Sequence, residues 1–137
     1  TRRSSDLDYT LYQSGLFSTY SYSPYFDSKD IPVRAIVINE NERLIGSRNG
    51  LFYVDEKNRR FRSFKSPQLR SNMIMCIYPF QGKYYIGTYG GGMYILDSST
   101  LTIRDFEPSE SPFVKGHVFC IRSDNDGCLW SATSMGL

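Results

Sequence analysis

The chain has 137 residues, 16 Lys or Arg against 14 Asp or Glu, and a net charge of +2. So small a positive excess, with no long basic block, argues against a nucleic-acid surface. Aromatics at 15% exclude an intrinsically disordered chain, and no apolar run approaches the roughly 18 residues that a membrane helix needs.

In chain order, Thr1-Arg2-Arg3-Ser4-Ser5 runs into Asp6 with no apolar segment, so no export signal is expected here. An exported parent would have lost its signal before this chain begins. A strand-like run from Tyr9 to Tyr12 follows. The aromatic stretch Tyr20 to Phe26 reads as an irregular edge strand packed on a neighbour, with a sugar-stacking platform as the alternative.

The first clear unit runs Val33 to Ile38, a polar turn at 39–42, Arg43 to Ser47, Arg48-Asn49, Gly50 to Val54, a turn at 55–58, then Arg59 to Phe64. Its last run alternates, which predicts a strand with Phe61 and Phe64 on one face and Arg59, Arg60 and Arg62 solvated. The second unit repeats this order: Ile74 to Tyr78, Gln81-Gly82, Tyr84 to Thr88, Gly90-Gly91-Gly92, Met93 to Leu96, Ser98-Ser99 and Leu101 to Phe106. A third begins with Val118 to Arg122, Asp124-Asn125-Asp126-Gly127 and Leu129 to Thr133.

Gly50, Gly92 and Gly136 therefore recur at steps of 42 and 44 residues, with a fainter copy at Leu11 to Phe17. Short strands repeating at that period are the mark of propeller blades. The expected fold is all-β: a β-propeller fragment of four-stranded antiparallel blades, two complete and two partial, in a larger ring of about seven blades. One domain over 1–137 is expected, with units at 1–32, 33–73, 74–117 and 118–137. Open strand edges should be covered by further blades or by a second protomer.

Cys76 and Cys120 stand at equivalent places before Ile77 and Ile121, which suits small core residues better than disulfide partners. Cys128 opens the next strand. Ser123 to Trp130 reads foremost as a hairpin turn whose Asp and Asn cap their own backbone. A calcium loop lacks its ligand ladder. A sialidase-type Asp box matches at Ser123, Gly127 and Trp130 but not at Asn125 or Leu129.

No nucleophile–base set, metal cluster or phosphate loop assembles, so no catalytic residue, metal or cofactor is expected. His117 precedes a strand where Pro32 and Met73 stand in the sister units, and a loop role is expected for it. In an up-and-down blade the loop between strands two and three emerges on the same face as the linkers between blades. That face collects Arg48, Asn49, Tyr89 and Ser134. A guanidinium fork and a flat ring suit a sugar or a uronate, so these four are the candidate ligand contacts.

The chain resembles the two-component regulator propeller repeat over about residues 9–137. Val118-Phe119-Cys120-Ile121, Asp124-Asn125-Asp126-Gly127-Cys128-Leu129-Trp130, Thr133 and Gly136-Leu137 fit its pattern. So do Ile74 to Ile77, Tyr85-Ile86-Gly87-Thr88 and Gly92 to Asp97, and again Val33 to Ile36, Ile45-Gly46-Ser47 and Gly50 to Asp55. The Trp is kept only at Trp130, and the acidic turn is degraded in the earlier units. The resemblance implies a periplasmic sensor segment of a hybrid histidine kinase of Bacteroidetes, detecting oligosaccharides to control glycan-utilisation genes. The parent would sit in the inner membrane and carry its catalytic domains elsewhere. The rival readings are a glycan-active propeller enzyme, sialidase- or lyase-like, and a protein-docking scaffold.

Overall fold

Short β-branched and aromatic runs joined by two-residue turns pair most simply with their nearest neighbours in sequence. The computed structural model describes residues 8–13, 16–21, 32–106 and 116–136, with backbone pairing alone for the first two segments. Among them are twelve strands and no helix. The first are β1 (Asp8–Gln13) and β2 (Leu16–Ser21), which pair as a hairpin. Strands β3 (Val33–Asn39), β4 (Glu42–Ser47), β5 (Gly50–Asp55) and β6 (Arg60–Phe64) make one four-stranded meander. A second meander contains β7 (Ile74–Phe80), β8 (Lys83–Thr88), β9 (Met93–Asp97) and β10 (Thr102–Asp105). The last pair is β11 (Val118–Ser123) and β12 (Leu129–Thr133).

All neighbours are antiparallel, and the first strand of each unit packs beside the first strand of the next: β3 on β7, and β7 on β11. This is the arrangement of blades about an axis, and the chain is an all-β propeller fragment. The units match in detail. Each first strand carries a register shift at the same place, between Val33 and Ala35, Ile74 and Cys76, and Val118 and Cys120. The turns Glu40-Asn41 and Gln81-Gly82 both open on a left-handed residue, each at φ 48°, which fits the twist of a two-residue hairpin.

The largest core lies between the two complete blades. Leu44, Leu51, Tyr53 and Phe64 of one meet Ile74, Ile77, Tyr84, Ile86, Tyr94 and Leu96 of the other. Met93, Val118 and Ile121 form a second core between the later blades, with Cys76, Tyr85 and Leu129 against it. Close approach at these seams explains two glycines. A Cβ on Gly46 would fall 2.5 Å from Cγ2 of Ile74, and one on Gly87 would fall 2.9 Å from the carbonyl oxygen of Val118. In the third copy the place opposite Cys120 is taken by Ala132.

One expectation is overturned. Phe61 and Phe64 do not share a face: Phe61 packs with Ile45, Phe52 and Val54, whereas Phe64 joins the core between the blades. Three residues is an odd step, and a strand sends odd steps to opposite sides. Nor is Arg60 simply solvated. Its guanidinium lies over the Tyr53 ring and donates to the carbonyls of Ser98 and Ser99 on the next blade. The aromatic stretch is described only as far as Ser21 in β2; 22–26 lie outside the described residues.

Candidate ligand-binding face

Each second strand ends in a hydroxyl residue, and that hydroxyl folds the loop that follows. Ser47 Oγ donates to the Gly50 carbonyl at 3.0 Å and accepts from Asn49 N–H at 3.0 Å. Thr88 Oγ1 does the same with Gly92 O at 2.8 Å and Gly91 N–H at 3.1 Å. Thr133 Oγ1 repeats it with Gly136 O at 2.9 Å and Met135 N–H at 3.1 Å. A short side chain that both donates and accepts is what such a turn needs. The sequence displays this as Ser47, Thr88 and Thr133 recurring at one repeat position; sequence reasoning saw the recurrence but not the task.

Main-chain bonds then tie each loop to the entrance of its own blade and the first two loops also to that of the next. The residue after the hydroxyl donates its N–H to the residue that precedes its own blade's first strand: Arg48 to Pro32 O at 3.3 Å, Tyr89 to Met73 O at 2.9 Å, and Ser134 to His117 O at 3.0 Å. The closing glycine donates to the linker of the following blade: Gly50 to Asn72 O at 2.7 Å and Gly92 to Gly116 O at 3.0 Å. Loops between second and third strands thus share one face with the linkers between blades, and the bonds that fold and seat these loops come largely from backbone and small hydroxyls.

This frees the larger side chains to point outward. Arg48, Asn49, Tyr89 and Ser134 are all exposed. The structure brings two of them together around His117. The Tyr89 ring stacks on the imidazole with centroids 3.8 Å apart and planes 17° apart. Ser134 lies on the backbone side, its Oγ 3.4 Å from His117 N. Phe119 adds a third ring, tilted, 6.1 Å from the imidazole. Tyr89 and Phe119 keep 46% and 43% of their surface in solvent, so this group of rings is open, not core. Arg48 stands one blade away, at the position repeat-equivalent to Tyr89. Sequence reasoning gave His117 a loop role and did not single out Phe119 as a contact; the adjacency of Tyr89 and His117 arises between blades and leaves no local pattern.

Beside the stack is a cavity of about 340 Å³ lined by Arg70, Gly90, Gly91 and Gly116 among the described residues. Arg70 is held at its rim. The guanidinium donates through Nε and Nη2 to Gly91 O and through Nη1 to Asp105, and it lies over the Tyr94 ring.

The opposite face is built otherwise. Glu42 accepts from Tyr53 Oη and, across the blade boundary, from Tyr84 Oη, both at 2.7 Å. Burial first, then the Glu42 carboxylate, pushes the Tyr53 hydroxyl far above the usual phenol range. Burial likewise raises Tyr84 to about 12, against the opposing hydrogen bond from Asn39.

The Asp124 turn is structural. Its carboxylate accepts from Asp126 N–H, Cys128 N–H and the Trp130 indole at 3.0, 2.8 and 2.6 Å. Cys76, Cys120 and Cys128 are free thiols. Cys76 is pushed up to about 11, chiefly by burial. No group of His, Cys, Asp or Glu suited to a metal occurs among the described residues, and no helix there is long and apolar enough to cross a membrane.

Neither a protein-family model nor a curated protein matches the chain. Solved structures do. The extracellular domain of the hybrid two-component system BT3049 of B. thetaiotaomicron aligns at 22% identity and a TM-score of 0.67, over 90% of this chain and 17% of that one. The corresponding domain of BT4673 from the same organism aligns at 22% identity and 0.58, over 85% of this chain and 17% of that one. A further structure of the BT4673 extracellular domain, described as a one-component system, gives 20% identity and 0.63, over 90% and 19%. The chain thus spans less than a fifth of each of these three structures.

Proposed function

We propose that the chain is part of the periplasmic sensor region of a hybrid two-component histidine kinase and response regulator, reporting oligosaccharides so as to regulate glycan-utilisation genes. The observation that supports this most is the likeness of 90% of the chain to part of a two-component system's extracellular domain. The regulator-propeller pattern of the repeats points the same way. The chain itself performs no chemistry. It presents a face whose anchors are main chain, so Arg48, Asn49, Tyr89 and Ser134 are available to a ligand. Further blades or a second protomer complete the sheet edges, and the membrane is met only through the parent.

Signalling follows if ligand binds one arrangement of blades or protomers more tightly than another, since only differential affinity shifts a population. Calorimetric titration of the parent's whole periplasmic region with oligosaccharides from xylan, pectin, mannan and glycosaminoglycans tests this. Binding of one class, with a matching change in autophosphorylation of the parent, is expected. Sugar-independent kinase output across that panel would overturn the reading.

A further inference from the structure

Three features lie at Tyr89 or next to it. One face of its ring is covered by His117 and much of the rest is in water. The neighbouring cavity, about 340 Å³, has a floor without side chains at Gly90, Gly91 and Gly116. A volume near the lower end of ligand pockets suits one or two sugar rings, not a long polymer. Arg70 at its rim spends three of its five N–H donors on Gly91 and Asp105. Two remain for hydroxyls.

The fold gives no reason for the stack. Tyr89 follows β8 and His117 leads into β11 of the next blade, and the loops they sit on are already fixed by main-chain bonds. His117 Nδ1 is buried without a partner among the described residues, a state that costs about 1–3 kcal/mol. Holding an imidazole there backs the Tyr89 ring and fixes its plane.

Resting on the sensor reading above, we infer that Tyr89, backed by His117, is the stacking platform for a single pyranose ring, whose hydroxyls reach Arg70 over the glycine floor. The ring offers a flat, electron-rich face, which suits the C–H face of a sugar. The fixed plane reduces the ordering cost of binding. The ligand class is a pyranose with a continuous apolar face, and the stack carries more of the affinity than Arg48, one blade away.

Saturation-transfer NMR on the full chain tests this with the methyl pyranosides of glucose, galactose, mannose, xylose and glucuronic acid. At least one should receive saturation on its ring protons and show intermolecular contacts to the Tyr89 ring. Tyr89→Ala should weaken that sugar about tenfold, while Tyr89→Phe restores it. A sugar that binds without Tyr89 contacts, or equally well to a folded Tyr89→Ala chain, sinks the platform and leaves the sensor reading standing. Silence from all five sugars removes the platform and counts against sugar sensing as well. Should Tyr89→Ala fail to fold, the contacts in the unsubstituted chain decide.

Discussion

The two faces of the propeller fragment are held together by different means. On the loop face, N–H to carbonyl bonds from Gly50 and Gly92 join adjoining blades, and those from Arg48, Tyr89 and Ser134 tie each loop to its own blade's entrance. At Arg48, Tyr89 and Ser134 any residue but proline can supply those bonds. On the turn face the joint is made by particular side chains: Glu42 between Tyr53 and Tyr84, and Arg60 on Ser98 and Ser99. The turn face therefore commits its chemistry to the fold. The loop face leaves Arg, Tyr and Ser at three equivalent places, and such freedom is what a binding surface requires.

The contrast can be broken most forcefully at Glu42. Glu42→Ala leaves two partly buried phenols without their acceptor, and about 3 kcal/mol of stability should be lost in urea unfolding. A loss below 0.5 kcal/mol, the scale of an ordinary surface change, would mean the turn face is not held by this carboxylate. On the loop face the largest effect should come from Thr88→Val. It keeps the shape but strands Gly91 N–H in a buried turn and leaves Gly92 O only its main-chain bond from Thr88 N–H, for about 2 kcal/mol, again read by urea unfolding.

A pH series sharpens the same comparison. Tyr84 is raised to about 12, above the usual phenol value of about 10, so its contribution is fully present below pH 10 and drains away as pH climbs towards 12. Melting temperature should fall across that window, and Tyr84→Phe should flatten part of the decline. An unchanged slope in the variant would show that Tyr84 is not clamped. The smallest effect belongs to Arg48→Ala: its main-chain bond to Pro32 survives, and stability should move by less than about 0.5 kcal/mol. A larger drop would show that the Arg48 side chain is structural.

The sequence made the strand order plain because each Ile-Gly-Ser or Ile-Gly-Thr step marks the end of a second strand, and because the closing glycines recur at an even period. It also placed Arg48, Tyr89 and Ser134 on one face, since each directly follows the Ser or Thr that closes a second strand, although the third copy reads Ser-Ala-Thr. What it hid were contacts whose partners are far apart in the chain. Glu42 meets a phenol 11 residues on and another 42 residues on, and the stack of Tyr89 on His117 spans a blade boundary. The misplacement of Phe61 is different in kind: the alternation was there to count, and an odd interval was taken for an even one.

The register shift in β3, β7 and β11 has its own consequence. In each strand one residue is skipped by the ladder: Arg34, Met75 and Phe119. A bulge releases its extra residue from pairing and re-aims it. The innermost strands therefore carry a guanidinium, a thioether and a phenyl at one height around the hub, none needed for strand pairing. Their chemistry can be rewritten blade by blade, as letters changed in a word whose spacing is set elsewhere.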